Sequence, residues 1–200
     1  MDILINTEIL ISTLQNVISV IDKSYSKPIL SNFMIKTLEN EGGQGMVEFS
    51  ATDYELSIIE RIPAEITTSG SICINAKRVF DIAREFQAKE TRILSTEQLW
   101  VHISCGASEL RLPSVEVGLY PQPNIEELKQ NLKISTVDLA QCIDMTLFAS
   151  QTNEARRNLM GVALSITDEQ KTRWQATDGH RLAQVIQPVE EMNFGEVPEI

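Results

Sequence analysis

Asp178 and His180 are the pair of residues whose types and spacing come closest to catalytic chemistry. A carboxylate and an imidazole two positions apart on a strand would face the same side, where they could transfer protons or hold a metal ion. The chain has only one other histidine, His102, and it contains no H-E-x-x-H, G-x-S-x-G or glycine-rich phosphate loop. We therefore expect no catalytic residue, no metal ion and no cofactor, and a hydrolase built on Asp178 and His180 stays open as an alternative.

Lys77 and Arg84 form a second pattern, one that could contact phosphate groups. The two residues are two helical turns apart, so in a helix they would share one face with Asp81 between them. The alternative is an ordinary solvated face with ion pairs between residues one turn apart.

The chain is acidic overall, with 17 basic and 28 acidic residues and a net charge of −11. Taken alone, this charge argues against nucleic-acid binding, because an acidic surface repels phosphates. The three cysteines, Cys73, Cys105 and Cys142, show no C-x-x-C spacing, which disfavours a disulfide framework or a zinc site. No apolar run is long enough to span a membrane and no signal peptide is visible, so we expect a cytoplasmic protein without membrane contact.

The chain contains an internal repeat. Ile5-Asn6-Thr7-Glu8-Ile9-Leu10 resembles Ile134-Ser135-Thr136-Val137-Asp138-Leu139, and further on Ala51-Thr52-Asp53 resembles Ala176-Thr177-Asp178. The two repeated segments follow each other at similar separations, from position 5 to 51 and from position 134 to 176. A third opening, Ile74-Asn75-Ala76, precedes another amphipathic stretch.

Each opening predicts a strand, a helix N-cap and an amphipathic helix. Asn6, Asn75 and Ser135 are good N-caps, because their side chains accept from the free N–H groups of the first turn. Strand-like runs follow each helix, so the unit is one helix and about three strands. We predict an α+β fold of repeated helix-plus-antiparallel-sheet units, with the helices on one side of the sheets.

We predict a first domain at residues 1–122, a linker at 123–131 and the first half of a second domain at 132–200. Residues 113–124 contain three prolines and little pattern, which we interpret as a connector. After position 132 only one helix and about three strands fit. The repeat therefore predicts that the chain ends inside its second domain.

Four segments resemble the bacterial beta sliding clamp family, the beta subunit of DNA polymerase III, in the order and spacing of that family. They are Lys27–Asn32, Ala51–Leu56, Ile74–Ile82 and Ala176–Ala183. The resemblance implies a DNA-clamp fold whose helices line the inner face of a ring. Family members have three such domains and form head-to-tail homodimeric rings around duplex DNA. The implied function is that of a non-catalytic processivity factor in DNA replication.

The resemblance also resolves the charge problem, because a clamp that holds DNA topologically needs only a mildly basic inner surface. An acidic exterior would suppress binding of DNA from outside. The aromatic pair that family members place beside the basic residues after the third helix is absent here. The positions implied to contact DNA are Lys23, Ser24, Lys77, Arg84, Asn153, Arg156, Arg157 and Asn158.

A groove for partner peptides is implied around the Thr177-Asp178-Gly179 segment. Its predicted partners are the DNA polymerase III alpha subunit, the clamp loader and other proteins with clamp-binding motifs. Gly179 would permit a tight turn, and leucines would form an apolar wall. The alternative is a plain β-turn between two strands, and both can hold. The implied groove residues are Leu159, Thr177, Gly179, His180, Arg181 and Leu182.

A dimer interface is implied at the edge of the first domain, where a strand would pair with the third domain of another subunit. Arg78, Ile82, Leu110 and Leu112 match that edge. The alternative is a protected sheet edge. A rival for the whole chain is a peptide-binding module that makes no contact with DNA.

Overall fold

The computed structural model describes residues 1–21, 27–38, 45–96, 99–122, 132–167, 171–188 and 191–192. The chain divides into two compact units, Met1–Ile125 and Glu126–Ile200, called here the N-terminal unit and the C-terminal unit. The division falls within residues 123–131, which we predicted as a linker and which lie outside the described residues.

The N-terminal unit contains two helices and an antiparallel sheet. In chain order its elements are β1 (Asp2–Asn6), α1 (Thr7–Ile18), a 3₁₀ helix (Pro28–Ser31), β2 (Asn32–Leu38), β3 (Met46–Thr52), β4 (Ser57–Pro63), β5 (Glu65–Thr68), β6 (Ser71–Asn75), α2 (Ala76–Ala83), β7 (Glu90–Ser95), β8 (Trp100–Cys105), β9 (Ser108–Val115) and a 3₁₀ turn (Val117–Leu119).

The C-terminal unit begins with the same order of elements. They are β10 (Leu132–Lys133), α3 (Thr136–Leu147), a 3₁₀ helix (Glu154–Leu159), β11 (Ala163–Ile166), β12 (Lys171–Thr177), β13 (Leu182–Pro188) and β14 (Glu191–Met192). β14 pairs with β10 as β5 pairs with β1. The prediction that the segment after Ile134 folds like the start of the chain is confirmed.

The three helices begin where the N-caps were predicted. The Asn6 side chain accepts from the backbone N–H groups of Glu8 and Ile9 at 3.0 and 3.2 Å. The Asn75 side chain accepts from the third residue after it in the same way, at 3.0 Å. The Ser135 hydroxyl accepts from the backbone N–H of Asp138 at 3.1 Å and donates to its carboxylate at 2.7 Å. Each cap satisfies a donor that the first helical turn leaves free.

One predicted boundary was wrong. Pro113 was assigned to a connector, but it lies in β9, which continues to Val115. Pro113 pairs with Trp100 of β8, and the pairing of β9 with β6 begins at Ser114. A proline, which has no backbone N–H group to donate, is therefore tolerated at this position.

The sheet of the N-terminal unit exchanges strands between its two halves. Its order is β4-β3-β2-β6-β9-β8-β7-β1-β5, and each pair is antiparallel. The three-strand meander β2-β3-β4 is completed by β6, the strand that leads into α2. The meander β7-β8-β9 is completed by β1, the strand that leads into α1. Each helix–sheet repeat therefore contributes its first strand to the sheet of the other repeat.

Both helices of the N-terminal unit pack on one hydrophobic core and contact each other. Leu10, Leu14 and Val17 of α1 are buried, as the apolar stripe predicted. They lie against Phe33 of β2 and Phe49 of β3, whose rings are stacked with their centroids 5.8 Å apart. The expectation of two adjacent helices against antiparallel sheet is confirmed.

The C-terminal unit packs α3 on β12 and β13. Cys142 and Thr146 of α3 are buried, as are Trp174 and Ala176 of β12. The three cysteines of the chain are all buried and free, and burial raises the pKa of the Cys73 thiol to about 12. None of the helices in the described part of the chain is long and apolar enough to cross a membrane.

A bidentate ion pair joins β1 to β7. The Arg92 guanidinium donates to both carboxylate oxygens of Asp2, at 2.8 Å from Nε and 2.6 Å from Nη2. The hydrogen bonds from Arg92 hold the pKa of Asp2 below its ordinary value of 3.8. Because the folded state favours the ionised form, this pair stabilises the fold above pH 3.8, and the stabilisation is lost as the pH falls through the lowered pKa.

Asp2→Asn should therefore flatten the loss of stability of the N-terminal unit on acidification below about pH 4. The measurement is urea unfolding of the wild-type chain and the variant at pH 7 and at a series of lower pH values. Glu55→Gln, a change at an exposed loop carboxylate, is the matched control and should leave the pH dependence of the free energy of unfolding unchanged. If Asp2→Asn also leaves this pH dependence unchanged, the ion pair is not its cause.

Candidate functional site

Two cations lie on the side of α2 that faces away from the core. Lys77 is exposed in the first turn, and Arg84 is the C-cap with a side chain that is 57% exposed. Val79 and Ala83, on the opposite side of the helix, are buried. Asp81 is also exposed, and Lys77 forms no ion pair with it or with any other residue of the described ranges. Arg84 Nε lies 3.5 Å from the exposed carboxylate of its chain neighbour, Glu85, a weak surface pair.

Of the three α-helices in the described residues, α2 is the one that contains basic residues. The segments that form α1 and α3 contain no lysine or arginine. The exposed side of α1 consists of Glu8, Ile9, Ser12, Gln15 and Asn16, so it is almost uncharged. The two helices of the N-terminal unit, with the C-cap Arg84, therefore carry three cations against the two carboxylates of Glu8 and Asp81, a near balance in a chain whose net charge is −11.

The remaining candidate phosphate contacts fall in two segments of the chain. Lys23 and Ser24 lie outside the described residues. Asn153 and the three residues Arg156, Arg157 and Asn158 are exposed in and before the 3₁₀ helix that follows α3. The backbone of that helix is kinked at Arg156, where φ is −126° and ψ is 60°.

The segment from Thr177 to Leu182 forms a tightly bonded turn between β12 and β13. The Thr177 hydroxyl accepts from the Gly179 N–H at 3.0 Å and donates to the Arg181 carbonyl at 2.6 Å. The Asp178 Oδ1 atom accepts from the backbone N–H groups of His180 and Arg181, at 2.9 and 3.0 Å. Gly179 has φ +90°, a value that costs a side-chain-bearing residue energy.

This geometry removes the basis of the hydrolase alternative. Asp178 and His180 lie in the turn between β12 and β13 and not on a strand, so they do not share the strand face that this alternative requires. The Asp178 carboxylate is bonded to two backbone N–H groups and to Arg181 Nε at 3.0 Å. These hydrogen bonds, first those from the His180 and Arg181 backbone, hold the pKa of Asp178 below its ordinary range. The carboxylate therefore supports the turn rather than a proton transfer with the His180 ring.

Arg181 connects this turn to the end of α3. Its Nη2 atom donates to the Phe148 carbonyl at 2.7 Å, and its guanidinium lies 5.8 Å from the centre of the Phe148 ring. The Phe148 and Leu182 side chains are each 63% exposed. A guanidinium beside an exposed aromatic ring, with an exposed leucine next in the chain, is the composition of a small protein-recognition surface.

Arg156 also reaches this turn. A β-carbon placed on Gly179 would lie 3.3 Å from Arg156 Nη1, so the guanidinium borders the turn at its left-handed residue. The Leu159 carbonyl accepts from the Gln151 N–H at 2.9 Å, which holds the end of the 3₁₀ helix beside the segment that follows α3. The structure thus brings Arg156 and Phe148 to the turn predicted from Thr177, Gly179 and His180.

The candidate edge in the N-terminal unit is the first part of β9. Among the described residues, Ser108 to Leu112 pair with β8 alone, whereas Ser114 and Val115 also pair with β6. Leu110 is half-buried, but Leu112 is 7% exposed and belongs to the hydrophobic core. Arg78 is exposed and Ile82 half-buried, one turn apart on α2. Because the Leu112 side chain lies in the core, only its backbone could pair with a strand of a partner.

Comparison with known families identifies the group to which these two units belong. Residues 1–126 match the family described as the N-terminal domain of the DNA polymerase III beta subunit. The chain belongs to the DNA polymerase III beta-subunit family. Residues 133–197 match the central domain of the same subunit.

A sequence relative and two solved structures agree with this family assignment. The beta sliding clamp of Caulobacter vibrioides is 32% identical over 200 residues, covering 98% of this chain and 52% of the relative. The crystal structure of the beta subunit from Streptococcus pyogenes superposes with a TM-score of 0.87 at 26% identity, covering 97% of this chain and 52% of that one. The Caulobacter crescentus pol III beta structure gives 0.83 at 31% identity, with 94% and 50% covered. The chain spans about half the length of the beta-subunit relatives that it matches.

Phe148 is the candidate site residue of this beta-subunit family member that sequence reasoning missed. A signal for it was present, because an aromatic residue directly after the last helical turn of α3 falls outside the buried stripe of Cys142 and Thr146. Arg156 was predicted, but for phosphate contact, and the structure places it at the turn with Gly179. Sequence spacing could not show this, since the two residues belong to different loops.

Proposed function

We propose that this chain forms part of a DNA sliding clamp, a non-catalytic processivity factor that encircles duplex DNA and tethers replication proteins in the cytoplasm. The observation that carries the proposal is the position of Lys77 and Arg84. Both lie exposed on the helix layer of a repeated βαβββ architecture, in a chain that is otherwise strongly acidic. The beta-subunit relatives, two of them with solved structures, support it.

The near balance of charge on α1 and α2 suits a protein that must move along DNA. Phosphate contacts carry no sequence information, so a few of them hold a duplex without fixing its position. The helices α1 and α3, which contain no lysine or arginine, add no further attraction. We propose Lys77 and Arg84 as the principal contacts in the N-terminal unit, joined by Lys23, Ser24, Asn153, Arg157 and Asn158, with Arg156 shared between DNA and the Gly179 turn.

Charge reversal on α2 tests the DNA contact. In a complete ring-forming subunit with this sequence, Lys77→Glu with Arg84→Glu should weaken binding of a short duplex. The slope of log affinity against log salt should become shallower by about 2, because two phosphate contacts are lost. The measurement is fluorescence anisotropy of a labelled duplex over a series of NaCl concentrations.

Lys36→Glu with Arg61→Glu is the matched control, since it changes the net charge equally. Both residues are exposed on strands whose core-facing neighbours are Ile35 and Ile62, so they lie on the sheet face opposite the helices. The control should leave the salt slope unchanged. If the two double variants behave alike, or if both match the wild type, the α2 assignment is wrong. The alternative of a peptide-binding module without DNA contact would then be favoured.

We further propose that the Thr177–Leu182 turn is part of a groove for short linear peptides of partner proteins. The predicted partners are the DNA polymerase III alpha subunit, the clamp loader and other proteins with clamp-binding motifs. The exposed Leu182 and Phe148 side chains supply apolar contact, and Arg181 fixes the turn against Phe148. Leu159, Thr177, Gly179, His180 and Arg156 complete the proposed groove on this unit.

The ring itself is proposed as a head-to-tail homodimer closed through β9. The free backbone edge from Ser108 to Leu112 could accept a strand from another subunit. Arg78 and Ile82 on α2 and the half-exposed Leu110 would supply side-chain contact beside it.

A further inference from the structure

The N-terminal unit shows how two helix–sheet repeats close into one domain. Asn75, the N-cap of α2, pairs with Asn32, the first residue of β2. Asn6, the N-cap of α1, pairs in the same way with Glu90, the first residue of β7. The two helices contact each other. Because the two strand exchanges have the same register, an approximate twofold axis relates the two repeats.

The C-terminal unit contains one such repeat in the part of the chain that the structure describes. Its strand β11 lies at the edge of a three-stranded sheet and pairs with β12 alone. The strand at the same place in the N-terminal unit, β2, pairs with β3 on one side and with β6 on the other. Among the described residues, no strand fills the place of β6 beside β11.

Apolar side chains on β11 lack the cover that β2 has. Leu164 lies opposite Trp174 in the sheet, as Ile35 of β2 lies opposite Phe49. Ile35 is fully buried, whereas Leu164 is 46% exposed. Ile166, two residues further along the same face, is 41% exposed. The core face of this sheet is therefore apolar and open to solvent at β11.

The helix α3 shows the same difference from α1. Leu139 and Ile143 occupy the positions of Leu10 and Leu14, which are fully buried, but they are themselves only half-buried. Leu147, the last residue of α3, is 46% exposed. Together these side chains form what we call the open face, which consists of Leu139, Ile143, Leu147, Leu164 and Ile166.

The carboxylates of α3 lie outside the positions that a second helix covers. Asp138 and Asp144 occupy the positions of Ile9 and Gln15, both of which stay exposed in the N-terminal unit although α1 contacts α2 there. Two copies of α3 packed in the manner of α1 and α2 would therefore bring apolar side chains together. Their acidic groups would stay in solvent, so charge repulsion does not oppose the contact.

We propose that the C-terminal unit pairs with the C-terminal unit of a second copy of this chain through the open face. The strand β10 of each copy pairs with β11 of the other, as β6 pairs with β2, and the two α3 helices pack together. Twofold symmetry suits this arrangement, because both copies contribute the same surface. The interface differs from the β9 edge, and the inference rests on the internal repeat and not on the proposed clamp function.

Self-association of the 200-residue chain is the first test, measured by sedimentation equilibrium over a series of concentrations. The wild-type chain should show a monomer–dimer equilibrium. Leu164→Glu should weaken dimerisation by about tenfold or more, because it would bury a carboxylate without a partner. Val137→Glu is the matched control, since Val137 is 74% exposed and occupies the position of the exposed Glu8. It should leave dimerisation unchanged.

A disulfide cross-link tests the strand pairing without disturbing the open face. Lys133 and Ala163 occupy the positions of Cys73 and Met34, which pair across β6 and β2. Lys133→Cys with Ala163→Cys should therefore give a covalent dimer on a non-reducing gel, because paired residues lie about 4.5–5.5 Å apart, within reach of a disulfide. Four strands separate β1 from β2 in the N-terminal unit, so a bond within one chain is not expected. Each single variant should stay monomeric on the gel.

The outcomes decide between this interface and any other. A chain that stays monomeric at every concentration overturns the inference. A dimer that persists in Leu164→Glu, or one that Val137→Glu weakens equally, places the contact elsewhere and also overturns it. If Leu164→Glu fails to fold, which circular dichroism would show, the cross-link decides alone. Absence of the covalent dimer in the double variant, or equal amounts in the single variants, then contradicts the pairing of β10 with β11.

Discussion

Replacing Phe33 with alanine should lower the free energy of unfolding of the N-terminal unit by about 3–5 kcal/mol, the usual cost of a large cavity in a core. Phe33 is fully buried on β2, and its ring stacks on Phe49 at 5.8 Å with an interplanar angle of 11°. The core holds α1 and α2 on the sheet, so a cavity there loosens both helices. Urea unfolding followed by circular dichroism measures the change.

Phe148→Ala is the matched control, because it removes the same atoms from a side chain that is 63% exposed. Its effect on stability should stay within about 0.5 kcal/mol. An equal loss in both variants would contradict the placement of Phe33 in the core and of Phe148 on the surface.

Gly179→Ala should destabilise the C-terminal unit by about 1–3 kcal/mol, since φ +90° is a conformation that residues with a side chain rarely adopt. The new β-carbon would also lie 3.3 Å from Arg156 Nη1 and press on that guanidinium. If the turn relaxes to relieve the strain, the hydrogen bonds of Asp178 change and peptide binding weakens. Stability is measured by urea unfolding, and binding by the amide shifts of His180 with acetyl-Leu-Phe-amide.

Gly161→Ala provides the comparison for this change. A β-carbon on Gly161 meets nothing within 4 Å, and its φ is not in the left-handed region. The substitution should be neutral or slightly stabilising, because alanine reduces the entropy of the unfolded chain. A similar loss for Gly161→Ala and Gly179→Ala would show that the strained turn is not the cause.

Local elements of the fold were predictable because their signals are local. Asn6, Asn75 and Ser135 cap helices through bonds to residues two or three positions away, and the stripe of Leu10, Leu14 and Val17 follows the helical period. The exchange of β1 and β6 between the two halves was not predictable. Periodicity reports which face of a strand is buried and carries no information on which strand lies beside it.

In the candidate site, too, the local features were predictable from the sequence and the long-range contacts were not. The Thr177–Asp178–Gly179 pattern predicted a turn, because all of its bonds lie within five residues. The positions of Arg156 and Phe148 beside that turn depend on how α3 packs on β12 and β13.

The exchanged strands also determine the order in which the N-terminal unit can assemble. Ile3 of β1 pairs with Ile93 of β7, and Phe33 of β2 pairs with Ile74 of β6, so partners meet across long stretches of chain. Pairings of this kind slow folding, because loop closure must precede any gain from contact. During synthesis β1 cannot be enclosed between two neighbours until β7 leaves the ribosome. The nascent chain therefore carries an incompletely paired strand, open to chaperones or to wrong partners, until residues 7–89, which separate β1 from β7, have been synthesised.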